Sequence, residues 1–150
     1  MRSSTGALLI VAALAGAVLG IGGYTFLYAK GYSYLTDDPA ACANCHVMNE
    51  QFRGWMKSSH RSAAMCNDCH TPANAVGKYA VKASNGFRHS FYFTTGWFPD
   101  NIRITAGSSS VVQDNCRRCH RDIVDAIDGP HADASRTDCI FCHTSAGHME

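Results

Sequence analysis

The residues of this chain best suited to do chemistry are its eight cysteines, and every one of them belongs to a repeated pattern. Cys42-Ala-Asn-Cys45-His46, Cys66-Asn-Asp-Cys69-His70, Cys116-Arg-Arg-Cys119-His120 and Cys139-Ile-Phe-Cys142-His143 are four copies of C-x-x-C-H, with no cysteine left over. Random placement in a chain this rich in Cys and His gives only about 0.02 copies. Two thiols at this spacing can add to the two vinyl groups of one haem, and the adjacent imidazole then ligates the iron from the proximal side. Paired zinc sites of four thiolates would use the cysteines but have no need of a histidine after every second one. A disulfide scaffold fits no better, because a CxxC bridge closes a loop too small to staple a fold. The pattern implies four covalently attached haem c groups.

Four further histidines, His60, His89, His131 and His148, face four distal positions. His60 lies in an SSH segment before the second motif, and His148 lies five positions after His143 in a tail short enough to fold back; both are read as distal ligands. His131 follows Gly129-Pro130 and is either a distal ligand or a surface residue. His89, a single histidine in an aromatic-rich stretch, is either a distal ligand or a packed, hydrogen-bonded side chain. The first motif continues Cys45-His46-Val47-Met48. Thioether sulfur also ligates haem iron and raises its potential relative to imidazole. Met48 is too near His46 to reach the opposite face of the same haem. Either Met48 replaces His46 on the proximal side and leaves the distal side open, or it packs against the macrocycle and His46 is the ligand.

The elements that must position these residues begin with an export signal, since haem c is attached on the far side of the membrane from the cytoplasm. Residues 6–29 form an uncharged segment between Arg2 and Lys30. Twenty-four helical residues extend about 36 Å, enough to cross a hydrocarbon core of about 30 Å. The run ends in Tyr24, Phe26, Tyr28 and Tyr32, which read as an interfacial aromatic belt and not as a cleavage site. An uncleaved, single-pass anchor over residues 1–30 follows, in the lipid bilayer of the bacterial inner (cytoplasmic) membrane, with Arg2 inside and the haem domain, residues 31–150, in the periplasm. Gly16 and Gly20 form a GxxxG that is either a helix-packing surface or the ordinary small-residue content of a membrane helix.

With 150 residues, 46% hydrophobic residues and a net charge of +1, the chain has room for one soluble domain and offers no basic footprint for nucleic acid. About 30 residues per haem leave little protein core, so the haems themselves supply most of it. The expected fold is mainly α: one N-terminal transmembrane helix plus a compact tetrahaem cytochrome c domain of short helices around two haem pairs. Cys42 to Cys66 is 24 positions and Cys116 to Cys139 is 23, with a gap about twice as long between the pairs, and this spacing suggests the pairing. Pro39, Gly107-Ser108-Ser109-Ser110 and Gly129-Pro130 mark turns or helix starts, and Ile102 to Ile104 and Val111-Val112 are the only weak strand candidates.

The chain resembles the NapC/NirT family of quinol-oxidising tetrahaem cytochromes, and within it the small membrane-anchored subunits of cytochrome c nitrite reductase. The resemblance covers everything after the anchor and rests on CANCHVMN (42–49), SSH (58–60), CNDCH (66–70), KYAVKA (78–83) and CIFCH…GHM (139–149), with CxxCHxM marking the nitrite reductase branch. It implies Met48 as axial ligand of haem 1 with His46 unbound, His70 with His148 at haem 2, and His120 with His60 at haem 3. At haem 4 it implies His143, opposed by a lysine of the catalytic partner or here by His131. Lys82, with Lys78 one turn before it, would line a quinol pocket beside haem 1. Relatives carry an Asp after Lys82, whereas Ala83 to His89 contains no carboxylate, which leaves His89 or a haem propionate to take the proton. The implied function is oxidation of menaquinol from the membrane quinol pool, with electrons passed to a pentahaem nitrite reductase catalytic subunit that performs the nitrite chemistry. The alternatives are a donor to another periplasmic reductase, such as nitrate reductase, and a tetrahaem relay without quinol oxidation.

Overall fold

A computed structural model of the chain describes residues 2–128 and 138–149. Among these residues there are eight α-helices, three 3-10 turns and no strand. The chain divides into two compact units, residues 1–33 and 34–150.

The first unit is helix α1, Arg2–Tyr28. Ser4–Tyr28 holds 25 residues at a mean hydropathy of 2.2, and every one is exposed, as a helix surrounded by lipid requires. Tyr24 and Tyr28, one turn apart, stack at 5.9 Å. Lys30 takes a left-handed conformation at φ 51° just past the helix end.

The second unit contains α2 (Pro39–Cys42), α3 (Asn49–Lys57), α4 (Cys66–His70), α5 (Ala75–Thr95), α6 (Ala106–Cys119), α7 (Arg121–Asp128) and α8 (Cys139–Cys142). Their starts are written locally. Asp38 accepts from the Ala40 N–H with Pro39 in the first turn, Asn74 from Gly77, Thr105 from Ser108, and Asp138 from Ile140 and Phe141. Gly96, at φ 67°, ends α5 in the conformation that glycine adopts at least cost. The helices around the motifs are short, but α5 runs 21 residues and α6 runs 14, because the long interval between the second and third motifs is helical at both ends. Of the weak strand candidates, Val111 and Val112 lie inside α6, and Ile102 to Ile104 has no regular structure.

No apolar side chain is buried among the described residues; the buried polar ones are Ser58, Thr71, Lys82 and Asn115. The chain exposes 11682 Å², against about 7,500 Å² for a compact protein of its mass. The membrane helix accounts for part of the excess.

Candidate functional site

The four motifs are not alike. In α4, α6 and α8 both cysteines of a pair lie three positions apart on one helix and so on one face. The first motif is split: α2 ends at Cys42, and Cys45 precedes the 3-10 turn His46–Met48. No disulfide joins any of the eight cysteines, and no three His, Cys, Asp or Glu side chains among the described residues converge to hold a bare metal ion.

Two motif histidines face a second imidazole. His70 lies with its ring centre 6.0 Å from that of His148, and His120 lies 6.0 Å from His60. Both opposing rings are oriented by a backbone carbonyl: His60 Nδ1 lies 2.8 Å from Ala146 O, and His148 Nδ1 lies 2.8 Å from Gln51 O. A carbonyl only accepts, so Nδ1 carries the proton and Nε2 keeps its lone pair, the tautomer suited to a metal. Burial first, and then His148, pushes His70 down from its ordinary value and favours neutral imidazole. His46 and His143 are exposed and meet no other ring among the described residues, while Met48 is half-buried. His131 lies outside the described residues.

These pairs depend on contacts that motif spacing does not reveal. The tail folds back on α3, where Met149 N–H donates to Gly54 O at 3.2 Å. Gly54 is buried there, and a Cβ on it would sit 2.9 Å from Met149 O and 3.2 Å from His148 Cα. Helix α6 joins three motifs. It carries the third; Asn115 Nδ2 donates to Cys69 O and Thr71 O, both at 2.9 Å, and so holds the second. Gln113 bonds the Asp138 side chain and accepts from the Cys139 N–H at 3.0 Å, at the start of the fourth. The only local hint of Asn115 is that it directly precedes Cys116.

The lysines and His89 share one face of α5, at the i, i+4 and i+11 spacing of a helical stripe. That face meets the segment Tyr34 to Asp37. Tyr34 Oη lies 2.9 Å from His89 Nδ1, so His89 is hydrogen-bonded within its own surroundings, and no motif histidine faces it. Lys82 Nζ donates to Thr36 O at 2.8 Å and to Asp37 Oδ1 at 2.9 Å, while Lys78 Nζ donates to Asp37 Oδ2 at 2.5 Å. Asn67, in the second motif, donates to Asp37 Oδ1 at 2.7 Å. The Lys78 ammonium first, and then Lys82, holds the Asp37 carboxyl down at about 2. Burial first, and then Cys45 and Cys42 of the first motif, pushes Tyr34 up. Lys82 itself is buried. The carboxylate that Lys82 meets stands in an earlier segment; its sequence signal was an acidic pair, Asp37-Asp38, of which Asp38 alone is used as a cap.

This is the construction of a c-type cytochrome. Residues 1–150 match the NapC/NirT cytochrome c family, N-terminal region, and the chain belongs to that family. It is similar to the cytochrome c-type protein NrfH of Wolinella succinogenes, with 39% identity over 93% of this chain and 83% of that protein. The cytochrome c nitrite reductase subunit NrfH of Nitratidesulfovibrio vulgaris is 32% identical over 99% of this chain and 89% of its own length. The crystal structure of the cytochrome c nitrite reductase NrfHA complex bound to the HQNO inhibitor contains a chain 31% identical to this one, at a TM-score of 0.65, covering 99% of this chain and 91% of that one.

Membership implies covalently bound haem c, and the residues fit it. An iron between two imidazoles, with metal–nitrogen bonds of about 2.0 Å, separates the ring centres by about 6 Å. Both histidine pairs have that separation. The missing apolar core leaves room for macrocycles, and Gln51 Oε1 is buried with no donor among the described residues.

Proposed function

We propose that the chain is a membrane-anchored tetrahaem quinol dehydrogenase that oxidises menaquinol and passes the electrons to a periplasmic cytochrome c nitrite reductase catalytic subunit. The observation that carries this reading is the inequality of the four motif histidines. His70 and His120 each face an imidazole whose Nε2 is free, as electron-transfer haems closed on both sides require, while His46 faces none among the described residues and stands two positions from a half-buried Met48. Cys42 and Cys45 would hold a haem here with Met48 or His46 toward it, and the haem would supply one-electron acceptance to a quinol bound by the lysine and carboxylate cluster. Each haem, held through one CxxC pair, supplies one-electron transfer.

In this reading His148 and His70 hold haem 2, and His60 and His120 hold haem 3. Met48 is the axial group of haem 1 and His143 the proximal ligand of haem 4, opposed by His131 or by a partner lysine. Asn115 and Gln113 fix the second, third and fourth motifs to one helix, so that the haem separations are set by protein bonds. Lys82, Lys78 and Asp37 form the polar wall of the quinol site; His89, bonded to Tyr34, lies two turns beyond. The helix Arg2–Tyr28 spans the inner membrane, with the second unit in the periplasm. Support for the partner comes from the NrfH names of both relatives and from the NrfHA complex, and support for the quinol site from that complex's inhibitor, HQNO, a quinol analogue.

The test has two parts. Purified in detergent with its haems, the protein should bind four haems per chain by mass and be reduced by a menaquinol analogue, with HQNO blocking the reduction. Isolated from membranes of its own organism, it should bring down a multihaem nitrite reductase. Four six-coordinate low-spin haems with neither reduction nor inhibition would leave only a relay; a different large subunit would move the protein to another respiratory chain.

A further inference from the structure

The carboxylate that the α5 lysines bond comes from the segment after the membrane helix. Among the described residues Asp37 is the only carboxylate bonded to the α5 lysines, and its side chain is 45% exposed, whereas Lys82 behind it is 7% exposed. Its oxygens are unequally used. Oδ1 accepts from Lys82 and Asn67 and has both lone pairs engaged; Oδ2 accepts from Lys78 alone and has one left. Asp37 follows the end of α1 by nine positions and precedes Cys42 of the first motif by five.

We propose that Asp37 is a substrate-contacting residue of the quinol site and accepts on Oδ2 the hydrogen bond of a quinol hydroxyl. Lys82 is then a positioning residue, the buried cation that fixes the carboxylate. The inference rests on the quinol dehydrogenase reading above and names the acceptor within that site. The chemistry selects quinol over quinone, since only the hydroxyl form has a proton to donate to a carboxylate held in its charged state. It also fills the gap left by Ala83 to His89, where no carboxylate stands.

The test uses the full-length, haem-loaded protein in detergent and measures HQNO affinity together with KM and kcat for a menaquinol analogue. Asp37→Asn keeps the shape and one acceptor oxygen but removes the charge; HQNO should bind about tenfold more weakly, or worse, and KM should rise more than kcat falls. Asp37→Glu, which restores the charge one methylene further out, should recover part of both. A clamp that merely held Asn67 would lower haem content or melting temperature and leave KM unchanged. Where Asp37→Asn does not incorporate haem, Asp37→Glu carries the test alone, with an intermediate loss of affinity expected at full haem content. Wild-type affinity and KM in whichever variant assembles overturn the role of Asp37. Failure of the wild-type protein to bind HQNO at all overturns the quinol site itself, and the two failures are read on different proteins.

Discussion

Compare the second and third motifs with the first. In the former, helices α4 and α6 present both cysteines on one face, α6 is bonded to α4 through Asn115, and each histidine has an opposing imidazole with its tautomer set by a carbonyl. In the latter, the helix stops at the first cysteine, the histidine is exposed, and the nearby polar groups are two lysines and a carboxylate. The difference separates tasks. A site closed on both axial sides with rigid supports suits electron transfer alone, because its iron admits no further ligand. A loosely built site with an open side and fixed charges can meet a substrate.

The strongest way to break the comparison is to open a closed site. His148→Ala should convert one haem of the assembled protein from low-spin to high-spin and leave the others unchanged, as read by magnetic circular dichroism; loss of no low-spin signal would remove His148 from the ligand set. Asn115→Leu leaves the Cys69 and Thr71 carbonyls without a donor and should cost about 1–3 kcal/mol, seen as a lower melting temperature. It should also weaken the magnetic coupling between haems 2 and 3. Gly54→Ala puts a methyl against Met149 O and should displace the tail at a cost of about 1–3 kcal/mol, with partial high-spin character at the His70 site alone.

From the other side, Met48→Ala should alter the spectrum and lower the potential of one haem, that of the split motif, with the remaining three unmoved. An unchanged spectrum makes Met48 a packing residue and gives the iron to His46. The smallest effect is that of pH. Asp37 titrates at about 2 in the folded chain against an ordinary 3.8. A depressed carboxyl contributes stability that is fully present above the unfolded value and is lost as pH falls through the folded one. Thermal stability should therefore hold above about pH 5 and decline between roughly pH 4 and 2. Asp37→Asn and high salt should both flatten that decline, since the pair is half exposed.

Much of this was legible along the chain because the relevant signals are local. CxxCH spacing is a covalent requirement, α1 is an uninterrupted apolar run, Pro39 opens α2 and the Gly107 to Ser110 tract lies at the start of α6, while Gly129-Pro130 lies outside the described residues. The supports were not legible, and for one physical reason. Asn115, Gln113, Gly54 and Asp37 act through single hydrogen bonds or close contacts to residues 26 to 95 positions away, and a single polar residue or glycine leaves no periodicity to detect. The histidine surroundings were not legible for a related reason: the Tyr34 that bonds His89 stands 55 positions away, and His46 meets no ring among the described residues.

The sequence by itself determined the chemistry. Covalent attachment needs two thiols and a histidine at fixed separations, and a membrane helix needs about 20 apolar residues in a row, conditions met by neighbours in the chain whatever the fold. The folded chain sets His148 against His70 and His60 against His120, the pairings that the family resemblance implied and spacing left open, and it brings Asp37 to Lys82. Those pairings join the tail to α3, α6 to α4 and the segment after the anchor to α5, across distances over which sequence order exerts no force, so that the folded backbone alone brings the partners together.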